Sequence, residues 1–146
     1  MNVRIDLLHS PHGMTGTLFS VIDILRTFNN LWQMRNPDKR GAFFHWRLID
    51  AAGNELPLAD WLSGMQSPAG GRKSLRPSQT ALFVPGVQMK SVPDLKHVLD
   101  QCAEELNCIA RYHSQGGIVA ASFNGPVMLA RAGVLEGRRA AVTWLI

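Results

Sequence analysis

Residues Gly116 to Gly133 read GGIVAASFNGPVMLARAG. Ile118 to Ala121 are small and apolar, a run of the length of a buried strand, and it halts at Ser122-Phe123-Asn124-Gly125. A helical pattern begins at once and runs over Asn124 to Ala132. A strand that stops at a helix N-terminus is a unit of a parallel α/β sheet, and in such sheets ligands gather beyond the carboxyl ends of the strands. The turn at Ser122 to Gly125 is therefore the first place to look for chemistry.

The same alternation extends outward from this stretch. Val3 to Leu8 reads as a strand, apolar enough to be buried on both faces. After the turn SPHGMTG, Thr17 to Arg35 carries Leu18, Val21, Ile22, Leu25, Phe28 and Leu31-Trp32 at helical spacing. Phe43 to Ile49 is a second strand, and DAAGNELPL (50–58) is a hairpin or strand-edge turn with Gly53-Asn54 at its tip. Ser63 to Gln79 is rich in Gly, Pro and Ser and reads as a long loop. ALFVPG, Ala81 to Gly86, is a third strand, and Val92 to His113 a helix with Asp94 in its first turn, where the helix dipole favours an acid. GVLEGRR then turns the chain into a fifth strand, AAVTWLI (140–146). Strands alternating with helices predict a mostly parallel sheet covered on both faces. An apolar strand at the end of the chain, without a covering helix, predicts a domain truncated at its C-terminal end.

Composition bounds the alternatives. A chain of 146 residues, 46% hydrophobic, fits one domain spanning 1–146. Its net charge of +4 is spread along the chain, and its densest basic cluster, Arg72, Lys73 and Arg76, falls in the Gly/Pro/Ser segment and reads as a solvated loop. No apolar run approaches the roughly 18 residues of a membrane span, and MNVRIDLLHS lacks a signal-peptide pattern, so a cytoplasmic location without membrane contact is expected. Cys102 and Cys108 lie six residues apart, about 120° around a helix, and are expected to be buried free thiols.

Three strand ends carry suggestive residues: His9 to Met14, Pro85-Gly86-Val87, and Ser122 to Gly125. The last has the form of a nucleophile elbow, with small neighbours Ala120, Ala121 and Gly125 allowing a tight turn that aims one side chain at the mouth. Backbone N–H groups of this turn and of Gly86 are placed to face a bound oxygen. The residue at the tip is Phe123, and a phenyl ring attacks nothing. Ser122 is turned away by strand alternation, and its hydroxyl is expected to bond nearby backbone. His9 and His12 place two imidazoles near one strand end, but no Cys or carboxylate in that turn completes a zinc set, so no metal and no cofactor is expected. GGRKS at 70–74 lacks the Gly-Lys-Ser adjacency of a phosphate loop, and His45, His97 and His113 read as structural.

The segment VAASFNGPVMLARAGVLEGRRAAVTW resembles the elbow region of the class I glutamine amidotransferase-like superfamily, the ThiJ/PfpI branch. The likeness is greatest to the N-terminal domains of AraC-type transcription regulators, whose pattern runs A-x-C-x-G and then L-A-x-A-G-L-L-x-G-R-R-A-T-x-H-W. VRIDLLHSPHGMTGTLFSVIDILRTFN, WRLIDAAGNEL and ALFVPG are similar to the earlier elements, so the resemblance covers most of the chain apart from 63–79. It implies a flavodoxin-like three-layer α/β sandwich. Active members carry an elbow Cys, a partner His and often a Glu from the first helix; here Phe123, Thr143 and Thr17 stand in those places.

The expectation is a catalytically inactive sensing and dimerisation domain of an AraC-type regulator. Its pocket would be lined by His12, Gly13, Met14, Pro85, Gly86, Val87, Phe123 and Asn124, over a pseudo-elbow of Phe123, Asn124 and Gly125. The implied partners are a small-molecule effector and a second copy of the chain. DNA would be contacted only through a C-terminal helix-turn-helix domain not in these residues. Two rivals stand beside it: a stand-alone ThiJ/PfpI-like hydrolase, glyoxalase or amidotransferase-type enzyme with an unusual nucleophile, and a pure assembly module.

Overall fold

The computed structural model describes residues 3–39, 41–69 and 79–141. β1 (Val3–Leu8) lies at the centre of a five-stranded sheet ordered β3-β2-β1-β4-β5. β2 (Phe44–Ile49) and β4 (Thr80–Val84) flank it in parallel, and β5 (Ile118–Ala121) runs parallel to β4. The two-residue β3 (Glu55–Leu56) turns back antiparallel to β2 through a bend at Gly53, whose φ of 93° suits glycine.

The sheet separates two apolar layers. On one side Leu7, Trp46 and Phe83 meet Leu18, Ile22 and Leu25 of α1 (Thr15–Arg35). On the other, Leu8, Ile49, Leu82 and Val84 meet Leu95, Val98 and Leu99 of α2 (Val92–Gln101). Ile109 of α3 (Ala103–Ser114) and Met128 and Leu129 of α4 (Pro126–Arg131) complete that layer. The fold is thus a flavodoxin-like three-layer α/β sandwich with a mostly parallel sheet. Asn29, buried in α1, locks its layer to β2: its Nδ2 donates to Phe44 O and its Oδ1 accepts from the N–H groups of Phe43 and Phe44.

Several expectations are corrected. β1 is not apolar on both faces: Asp6 is 1% exposed and faces the α3 side, where Arg4 Nε and Arg47 Nε reach its Oδ1 at 2.9 and 2.7 Å. Among the described residues the connection from β2 to β4 adds no α-helix here, and the polar side chains of β1 and β2 meet Tyr112 of α3 instead. The helix expected over Val92 to His113 is two helices broken at Cys102, whose ψ of 28° departs from helical geometry. The loop expected over 63–79 begins instead within a 3-10 helix, Asp60–Met65, while 70–78 lie outside the described residues. The last helix starts at Pro126 rather than Asn124, because Ser122 to Gly125 are spent on the turn. The strand expected at 140–146 falls largely outside the described residues, and the C-terminal truncation inferred from it goes untested with it.

Candidate functional site

The carboxyl ends of β1, β4 and β5 converge on the elbow. The segments after β1 and β4 zip together there: Gly13 bridges Val87, Met14 N donates to Gly86 O at 2.7 Å, and Gln88 N donates to His12 O at 2.8 Å. This ribbon sets Met14 and Gly86 against Phe123 and Val87 against Asn124, with His12 and Gly13 on its other strand.

The turn has an elbow's backbone. Phe123 adopts φ = 56°, a left-handed conformation that costs an L-residue roughly 1–2 kcal/mol and which no other described non-glycine residue shares. Its ring is 45% exposed. Gly125 makes the turn sterically possible: a Cβ there would lie 2.7 Å from Pro85 O and 2.8 Å from Ser122 O. Gly86 is needed for the same close approach, since its Cβ would meet Asn124 Oδ1 and Met14 Sδ at 3.0 Å and Phe123 Cβ at 3.2 Å. Met14 and Phe123 therefore sit directly over Gly86.

Two expectations about this site change. Asn124 does not present its amide to the mouth: it is fully buried, accepting from Val87 N at 2.6 Å and donating to Val87 O at 2.9 Å. That bond occupies Val87 N, and Gly125 N is occupied by Ser122 O at 2.8 Å, so neither N–H is free to hold a ligand oxygen. The Ser122 hydroxyl, expected to bond nearby backbone, has no hydrogen-bond partner among the described residues.

Thr17 sits in the first turn of α1 with its hydroxyl donating to Met14 O at 2.7 Å, while Thr143 lies outside the described residues. Behind the mouth is a polar pair that the sequence did not single out. Ser10 Oγ donates to Glu105 Oε1 at 2.7 Å with both residues buried, and it also accepts from His12 N at 3.2 Å. The free thiols Cys102 and Cys108 are buried; loss of solvation pushes both up, with the Glu105 charge adding to the effect at Cys102. Neither is an activated nucleophile. Among the described residues no group of three or more His, Cys, Asp or Glu stands ready to hold a metal, and no helix is long and apolar enough to cross a membrane.

No family model and no curated protein matches the chain. One similar solved structure is an AraC family transcriptional regulator from Pseudomonas putida, with 21% identity and a TM-score of 0.49. The match covers 97% of this chain and 67% of that one.

Proposed function

We propose that the chain is the ligand-sensing and dimerisation domain of an AraC-type transcription regulator, inert at its elbow. The observation that carries this is Phe123: the left-handed backbone and the glycine cradle of an elbow are present, and they present a phenyl ring. The resemblance of VAASFNGPVMLARAGVLEGRRAAVTW to that regulator family supports it. A partly exposed aromatic side chain beside Met14 suits a small polar or cationic effector. DNA contact would come from a further C-terminal domain, in the cytoplasm.

α1 supports the dimer. Ile24, Leu31 and Met34 are 66%, 49% and 78% exposed and lie opposite the helix's buried Leu18, Ile22 and Leu25, with Phe28 at the flank. Asp23, Ile24, Thr27, Phe28 and Leu31 line an apolar groove of about 390 Å³. The stripe is self-complementary. Two antiparallel copies related about the midpoint of Thr27 and Phe28 would oppose Ile24 to Leu31.

A thermal-shift screen of small metabolites tests sensing: an effector should raise the melting temperature, and Phe123→Ala should abolish its shift. A screen in which nothing shifts removes sensing from the reading. Sedimentation tests the dimer, with Leu31→Glu expected to give monomer and a monomeric wild type overturning it. The enzyme reading is favoured by one observation, the unpartnered Ser122 hydroxyl. Hydrolase or glyoxalase turnover that survives loss of Cys102 and Cys108 but dies with Ser122→Ala would replace the inert sensor with an enzyme.

A further inference from the structure

A second cleft lies on the α3 face of the sheet, away from the elbow. It encloses about 280 Å³ over β1 and β2, and no elbow residue lines it. Arg4, Asp6 and Arg47 form its floor, Arg111 and Tyr112 of α3 one wall, and the Ala52-Gly53 turn another. We infer that this cleft binds a small dianionic oxyanion, of the phosphate or dicarboxylate class.

The first argument is charge. Among the described lining residues three are arginines and Asp6 is the only acid, a surplus of two positive charges. Two further carboxylates, Asp50 and Glu55, act on lining residues from outside the cleft without lining it. Asp50 is turned onto Asn54, accepting from its N and Nδ2 at 2.8 and 3.0 Å. Glu55, exposed on β3, lines the neighbouring cavity at the β2 edge together with Arg4 and Arg47, and its charge reaches Arg47 from that side.

The second argument is preorganisation. Asp6 is buried and grips both floor guanidiniums by the same edge: Arg4 through Nε at 2.9 Å and Nη2 at 3.4 Å, Arg47 through Nε at 2.7 Å and Nη2 at 3.2 Å. The Tyr112 hydroxyl also donates to Asp6 Oδ2, at 3.2 Å. One acid thus fixes two planar cations whose Nη1 groups make no recorded bond to it. Holding flexible arginines in place before a ligand arrives removes much of the entropic cost of binding. Guanidinium forks also match the geometry of carboxylate and phosphate oxygens. Arg111 is held outside the Asp6 network, by Nη2 to Ala51 O at 3.1 Å and by a contact with the Cys108 thiol, at the side of the cleft opposite the floor.

The inference is independent of the elbow, so the fate of one leaves the other untouched. Its test is calorimetric titration of the 146-residue chain with inorganic phosphate and, separately, with malonate, at constant ionic strength. Saturable one-site binding of either anion is expected, and whichever binds more tightly identifies the class. Arg111→Gln spares the Asp6 network and should weaken binding about tenfold, the effect of losing one charged hydrogen bond. Arg26→Gln, on α1, should leave binding unchanged. Absence of saturation up to about 20 mM of both anions overturns the site, since affinity weaker than that is below about 2.3 kcal/mol. So does binding that Arg111→Gln leaves intact or that Arg26→Gln weakens equally.

Discussion

The Asn124 amide clamps the backbone of Val87 on both sides, taking its N–H at 2.6 Å and giving to its carbonyl at 2.9 Å. One fully buried side chain therefore ties the elbow after β5 to the loop after β4. Truncation in Asn124→Ala leaves two buried backbone groups without partners and should cost about 2–4 kcal/mol. Urea unfolding would measure it as a lower midpoint at unchanged slope. A cost near zero would mean that water replaces the amide.

The Phe123 backbone gives a prediction of order. At ordinary dihedrals alanine stabilises a chain over glycine, but at φ = 56° the ranking inverts. Phe123→Gly should be more stable than Phe123→Ala by about 1 kcal/mol. Gly125→Ala should move the other way, losing about 1–3 kcal/mol as its Cβ presses on Pro85 O and Ser122 O. Thermal melts of the three variants give the comparison.

How much of this was legible follows from what each signal encodes. Hydrophobic period placed β1, α1 and β4 to within two residues, and the small residues around Phe123 marked the turn before Pro126. The break at Cys102 was invisible because Leu95 to Ile109 keeps a nearly continuous apolar stripe across it. The Asn124 clamp was missed because its partner is backbone 37 residues away, and nothing in the identity of Val87 announces it. Arg4 and Asp6 did stand in plain view inside β1. Polar residues at period 2 in an otherwise apolar strand mark a face packed against polar groups rather than an apolar layer, and that signal was available.

The buried thiols set a pH dependence. Burial raises both, so the folded chain retains protons that the unfolded chain begins to release above about pH 8. The unfolded state then binds fewer protons than the native one, and stability falls as pH rises through the thiol range. Stability below that range is unaffected by these groups. Denaturant midpoints at pH 7, 8.5 and 9.5 should fall in that order, and Cys102→Ala/Cys108→Ala should flatten the decline.

Asp6→Asn removes the anion shared by Arg4 and Arg47. Both guanidiniums are partly exposed, which softens the penalty to about 2–3 kcal/mol, below the roughly 3–5 kcal/mol of a fully buried pair. Chemical denaturation would show it, and a neutral result would mean the arginines relax fully into solvent.

The two apolar layers are unequal, and this bears on how the molecule opens. Among the described residues fourteen form the buried cluster on the α3 side and six the one on the α1 side. α1 is thus a long helix on a thin seam, fastened by Leu18, Ile22, Leu25 and Asn29. The least costly excursion from the native state is detachment of this helix while β1, β4 and the opposite layer stay closed. Its amide hydrogens should exchange with solvent ahead of those in β4, and association along Ile24 and Leu31 would make that exchange slow as protein concentration rises.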